Sequence, residues 1–225
     1  MSRYVLRSDL SYCQVGQRLV FLDIGSDRYF HLTPPMERGL TKYLTGDDCS
    51  EIDVRELVDR SILVEPPSSK ASDQPSIAPA DHSAMEVATP SRPLRILETI
   101  EVFAVVVATR IKLKTSMLGN LLDRLATTRT IRSARIASLN DISEQHILDA
   151  AAAFRRARLY VPIDMRCLLD SIAMANFLSR RGIAAHVVFG VALDPFSAHC
   201  WVQAGNLVLN DSLGNVASHT PIRVA

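Results

Sequence analysis

Long apolar runs are missing from this 225-residue chain. The start, Met1-Ser2-Arg3-Tyr4, runs to Asp9 without the apolar core of a signal peptide. The most hydrophobic stretch, Ile96 to Leu113, is broken by Glu98, Glu101, Arg110 and Lys112. It has neither the length nor the purity of a membrane span. Cysteine is scarce: four residues, at 13, 49, 167 and 200, with no regular spacing. That excludes a disulfide-stapled scaffold and predicts a reduced, cytoplasmic setting, where an unpaired cysteine is core filler or a nucleophile. Excess charge is also missing. With 25 basic and 24 acidic residues the formal charge is +1, so no global field draws nucleic acid or a membrane surface. No P-loop signature and no second ligand pair at metal spacing occur, so no resident cofactor or metal is expected. What remains, 48% hydrophobic and 22% charged, is the composition of a globular protein.

Composition shifts sharply between Glu65 and Pro93. Six of the eleven prolines fall there, at 66, 67, 75, 79, 90 and 93, with serines at 68, 69, 72, 76, 83 and 91. Such a stretch buries too little apolar area to offset its ordering entropy. Residues 66–92 are therefore expected to be a flexible linker spanning roughly 30 Å, between an N-terminal domain at 1–65 and a C-terminal one at 93–225. Residues 1–65 carry a net −3 and residues 93–225 a net +5. Seven basic residues between Arg110 and Arg135 face one acid, Asp123. They read as a solvated helix surface or as a docking face for an acidic partner or nucleotide.

In the N-terminal domain, Leu10–Val15, Arg18–Ile24 and Arg28–Thr33 read as short strands separated by Gly16-Gln17 and Gly25-Ser26-Asp27. Thr33 then caps a helix with Pro34 at its first position and Gly46 as its stop. A second helix is expected over about Ser50–Arg60, and Ile62-Leu63-Val64 closes the domain. Cys13, Cys49 and His31 read as structural. A small sheet followed by helices resembles the winged-helix leader-recognition domain of enzymes that modify ribosomally made peptides. The resemblance implies capture of a peptide as an extra strand on the sheet edge.

In the C-terminal domain, helices are expected over Pro93–Leu113 and Met117–Ala126. A third is capped by Asp141 with Glu144 completing a capping box, and its stripe is Ile147, Ala151, Phe154 and Arg158. Cys167 opens a strongly apolar helix that ends at Arg180-Arg181-Gly182, and strands follow at Ala185–Leu193, Ala198–Gln203 and Leu207–Asp211. The whole is α+β.

A cysteine at a helix start has physical meaning. The free first-turn N–H groups and the helix dipole stabilise a thiolate, and the same groups can receive the oxyanion of an attacked carbonyl. A thiolate nucleophile needs a histidine and a group that orients it. His199 lies 32 residues on and Asp211 a further 12. If Ala204-Gly205-Asn206 is a three-residue loop, Gln203 faces Leu207 and His199 faces Asp211, with Cβ atoms about 4.5–5.5 Å apart. A two-residue Gly205-Asn206 loop would put the two on opposite faces. Trp201 is expected beneath this site. His186 and His219 fit no pattern, and His82 falls in the linker.

The segments Cys167-Leu-Leu-Asp-Ser-Ile-Ala, Leu178-Ser-Arg-Arg-Gly182, Phe189-Gly-Val191, Pro195-Phe-Ser-Ala-His-Cys-Trp-Val-Gln203 and Val208-Leu-Asn-Asp211 closely resemble the lasso-peptide biosynthesis B proteins. These are maturation proteases of the transglutaminase-like, papain-related class. The resemblance implies Cys167 as nucleophile, His199 as base and Asp211 as its orienter. It further implies a leader peptidase with a fused leader-recognition domain. Its partners would be the precursor peptide leader and an asparagine-synthetase-like lasso cyclase, and any ATP dependence would come through that cyclase. Two rivals stand beside this reading: a transglutaminase-like acyltransferase, and a non-catalytic leader-binding chaperone for the cyclase.

Overall fold

A computed structural model describes residues 4–48, 50–66, 77–87, 93, 95–136 and 143–225. The chain forms two compact units, Met1–Gln74 and Pro75–Ala225.

In the first unit, β1 (Val5–Leu6) precedes β2 (Leu10–Val15), β3 (Arg18–Asp23) and β4 (Arg28–Phe30). Strands β2, β3 and β4 make an antiparallel sheet in that order. Then come α1 (Pro34–Thr45), α2 (Glu51–Asp59) and β5 (Leu63–Val64), which pairs antiparallel with β1. Helix α1 starts at Pro34 and ends at Gly46, whose φ of 77° is left-handed backbone that glycine adopts freely. Helix α2 is capped by Ser50, whose hydroxyl accepts the Asp53 N–H. Leu10, Phe21, Met36, Leu40, Leu57 and Leu63 form the core between sheet and helices. Cys13 is buried in β2, while Cys49 lies outside the described residues.

The second unit begins with β6 (His82–Ser83). The linker expected over 66–92 is therefore corrected at 77–87. His82 and Ser83 pair in parallel with Leu207 and Val208, Ala84 is buried, and Ile77 and Ala80 pack on a core cluster. The proline- and serine-rich composition hides this because the order comes from ladder bonds and three small apolar contacts. Residues 67–76 and 88–92 lie outside the described residues.

Helices α3 (Ile96–Thr115), α4 (Leu118–Ile136), α5 (Glu144–Arg158) and α6 (Cys167–Arg180) follow. Helix α5 starts at Glu144 behind Ser143, so Glu144 is its first residue rather than the third of a capping box. Asp141 is not among the described residues. Strands β7 (His186–Ala192), β8 (Ser197–Ala204) and β9 (Leu207–Val208), helix α7 (Leu213–Ala217) and β10 (Thr220–Val224) complete the chain. The sheet order is β10-β7-β8-β9-β6.

Helix α6 sits at the centre of the main core. Ala173, Met174, Phe177 and Leu178 pack with Val102 and Val106 of α3, Phe154 of α5 and Val202 of β8. The opposite face of the sheet carries Val188, Trp201 and Val208, covered by Val216 of α7. Alternation along β8 sends Val202 to the α6 face and Trp201 to the α7 face, as a two-residue period requires. Among the described residues, no helix is long and apolar enough to cross a membrane.

Candidate active site

Cys167 is the first residue of α6 and is exposed. Its approach is fixed by Arg158, the last residue of α5 and almost wholly buried. The guanidinium pairs with Asp170 at 2.5 Å and donates to the carbonyls of Val161, Ile163 and Asp164 at 3.2, 2.9 and 3.1 Å. Asp170 also accepts the Arg166 N–H at 3.0 Å, so one acid in the first turn of α6 ties its entry to α5. In sequence Arg158 reads only as part of an otherwise apolar helical stripe, which conceals this role.

His199 lies on β8 directly opposite Gly190 of β7. Its Nε2 hydrogen-bonds to Oδ2 of Asp211. Interaction with the Cys200 side chain, then with the His199 ring and its charge, and last with the Cys200 backbone, holds the Cys167 thiol well below its ordinary range, at about 4, against the opposing effect of burial. The same contact with Cys167 and the bond to Asp211 raise the His199 pKa despite desolvation. Cys200, buried and next to the thiolate, is pushed up and stays a thiol. The structure thus brings Cys167, His199 and Asp211 together.

The hairpin route to this meeting differs from expectation. Gln203 faces Val208 and Ala204 faces Leu207, so the loop is the two-residue Gly205-Asn206. Gly205 has φ 61°, the left-handed value that such a turn demands at its first position. This register continues through Leu209, whose N–H donates to the Val202 carbonyl. At Asn210 the side chain replaces the backbone: Oδ1 accepts the Val202 N–H at 2.7 Å and Nδ2 donates to the Ser171 hydroxyl at 2.9 Å. Ser171, fully buried on α6, donates in turn to the Cys200 carbonyl at 3.1 Å. The main chain leaves the ladder there and swings Asp211 back to His199.

Asp211 is held on all sides. Oδ2 also accepts Asn215 Nδ2 at 2.9 Å, and Oδ1 accepts the Ser212 N–H at 2.7 Å. Trp201 lies beneath, its ring 6.3 Å from that of His199, with Nε1 donating to Gln203. His219 is also at the site, its ring 5.4 Å from His199 and its Nε2 3.2 Å from the Ser197 hydroxyl. The sequence carried no signal for it, because β10 and α7 were not anticipated. His186 stands apart at the start of β7. Burial, and then Arg129, lower its pKa to about 4, so it is neutral at ordinary pH. Among the described residues, no group of three or more His, Cys, Asp or Glu could hold a metal ion.

A thiolate on a helix N-terminus, with a protonated imidazole beside it and a carboxylate behind, can add to a carbonyl and protonate a leaving group. A 46-residue stretch is 46% identical to the microcin J25-processing protein McjB of Escherichia coli. It covers 20% of this chain and 22% of that protein, so the likeness spans about a fifth of the relative's length. No solved structure matches significantly. The model of the transglutaminase-like superfamily matches residues 105–224, which is more than half of the chain and takes in all of α6, β7, β8 and β9. On that match the chain belongs to the transglutaminase-like superfamily.

Proposed function

We propose that this protein is a cytoplasmic leader peptidase for a lasso precursor peptide. The observation that carries the reading is a low-pKa thiol, Cys167, beside a histidine, His199, that the Asp211 carboxylate holds. The Cys167 thiolate attacks the carbonyl at the leader–core junction. The His199 imidazolium gives its proton to the departing amine, leaving a thioester, and neutral His199 then activates the water that hydrolyses it. Asp211 orients the ring and favours its charged form. The first-turn N–H groups of α6 are the donors available to the oxyanion. The freed core passes to an asparagine-synthetase-like cyclase for macrolactam formation.

Unit 1 is assigned the role of leader recognition, in a winged-helix-like manner. Two features support it. Among the described residues, β4 is an edge strand of the β2-β3-β4 sheet, the kind of position at which a peptide adds as a further strand. Beside it runs a groove of about 370 Å³ with Phe30, Leu32, Met36 and Ile62 as apolar lining and Arg28 and Arg60 among its polar residues.

Membership of the transglutaminase-like superfamily favours a second reading, acyl transfer. The thioester is the same, but an amine replaces water. Mass spectrometry of precursor incubated with the protein separates the two, since hydrolysis gives two peptides and transfer gives one conjugate. Cys167→Ala should abolish either product while leader binding by fluorescence anisotropy stays near parent. A Cys167→Ala protein that still processes the precursor overturns the proposed mechanism.

A further inference from the structure

The segment ahead of α3 is tied to the Asp211 loop at several points. β6 lies alongside β9, and the Ala84 N–H extends the pairing by donating to the Val208 carbonyl at 2.8 Å. The Ser83 hydroxyl donates to the Asp211 carbonyl. Glu86 accepts the Leu213 N–H at 3.0 Å. Arg155 of α5 clamps both strands, with Nη1 on the Leu209 carbonyl at 2.6 Å and Nη2 on the Ala84 carbonyl at 2.8 Å. Ser83 and Ala84 are each only 1% exposed. The residues that make these bonds from the β6 side, His82 to Glu86, lie before residue 105, where the superfamily match begins.

We propose that residues 77–87 are a strap that positions Asp211, with Ser83 as the positioning residue, so that the active site extends beyond the matched superfamily region. The inference rests on the Cys-His-Asp reading above. Asp211 sits past the end of β9, where the hairpin ladder no longer holds the main chain. Asn210 fixes the loop from the β8 side and Ser83 fixes it from the β6 side. Without the Ser83 hydroxyl, the Asp211 carbonyl loses that partner and the loop can relax away from His199. A displacement of about 1 Å in such a constellation costs on the order of 100-fold in rate. With Asp211 withdrawn, the His199 ring is no longer held in place beside Cys167, and the thiolate loses the imidazolium as a close neighbour.

The test uses the intact chain and iodoacetamide as the probe, with alkylation at Cys167 read by peptide mass spectrometry against pH. Parent protein should react at about pH 5, where an ordinary thiol with pKa ~8.5 is inert. Ser83→Ala should lose roughly 10- to 100-fold of the rate at that pH while matching parent at alkaline pH, where any thiol is ionised. Ser83→Thr, which keeps the hydroxyl, should restore the parent profile. Circular dichroism checks the fold. If Ser83→Ala fails to fold, the exposed Glu86→Ala variant replaces it, with a loss of several-fold expected at about pH 5. A parent-like profile in the folded variant overturns the strap. If the parent itself is unreactive at about pH 5, the triad reading fails, and the strap with it.

Discussion

His199 and Asp211 are hydrogen-bonded although their hairpin register sets them on opposite faces. Continued past Leu209, the register would place Asp211 opposite Cys200, one residue off. Asn210 removes the conflict by giving its side chain to the Val202 N–H in place of a backbone carbonyl.

Asn210→Ala should therefore be costly in two ways. It leaves a ladder N–H without its acceptor and takes a donor from buried Ser171. An unsatisfied buried polar group costs about 1–3 kcal/mol, so the midpoint of denaturant unfolding should fall correspondingly. Processing should fall further than stability alone explains, because Asp211 returns toward its ladder position. A variant with reduced stability but parent turnover when fully folded would show that Asn210 serves the fold only.

The protonation states define a pH window. The Cys167 pKa is lowered to about 4, so the thiolate forms as pH rises through that value. The His199 pKa is raised from its ordinary 6.5, so the imidazolium persists above the range of a free histidine and is lost as pH rises further. The ion pair exists between these limits. Cleavage, which needs the imidazolium as acid, should be bell-shaped with its acid limb near pH 4. Replacing Asp211 with Asn should shift the alkaline limb down. The effect on rate should be smaller than the ~10⁴ lost on the same change in a serine protease, because a preformed thiolate depends less on the orienting group. A measured acid limb near the pKa of a free thiol would contradict the thiolate–imidazolium pair.

Gly190 is the partner of His199 across β7 and β8, and it has no room for a side chain. A Cβ there would lie 2.6 Å from Cζ3 of Trp201 and 3.0 Å from Cβ of His219. Gly190→Ala should push the indole out of the stack beneath His199 at a cost of about 1–3 kcal/mol. Trp201 is the single tryptophan, so its fluorescence reports the shift without interference. Unchanged emission together with unchanged activity would mean that the sheet absorbs the methyl group elsewhere.

Much of this arrangement was legible in sequence, for identifiable reasons. Strands β2 and β3 were marked by turn residues, α1 by Pro34 and Gly46, and α6 by an apolar run between a cysteine and a basic stop. The Cys-His-Asp grouping followed from helix-start chemistry and from family resemblance, and the structure brings those residues together. The hairpin register did not follow, because Gly205-Asn206 suits loops of two or three residues and only the side-chain bond of Asn210 decides the outcome. Strand β6 was hidden by its length of two residues inside a proline- and serine-rich stretch. The organising role of Arg158 was hidden because its position fitted an apolar stripe, and burial reveals it as a hub of charge-assisted bonds.

The boundary between the units leads to a prediction about splitting the chain. Composition alone places the cut near residue 92, but β6 and its Ser83–Asp211 bond belong with the second unit. A chain of residues 77–225 should fold and keep Cys167 reactive at low pH, while residues 93–225 should lose that reactivity because the strap is missing. Residues 1–66 should bind leader peptide alone. The catalytic piece should process precursor poorly alone, since its own contacts are limited to residues around the scissile bond. Adding the first piece should restore activity only in part. A covalent tether supplies an effective concentration on the order of millimolar, which separated pieces at micromolar levels forgo unless they dock. The net −3 of residues 1–65 and the net +5 of residues 93–225 favour docking, and salt should weaken it. Cleavage assays on the intact chain, on 77–225, on 93–225 and on each mixed with 1–66, at low and high salt, check every step. If 77–225 alone matches the intact chain, leader capture by the first unit is not what brings the substrate to Cys167.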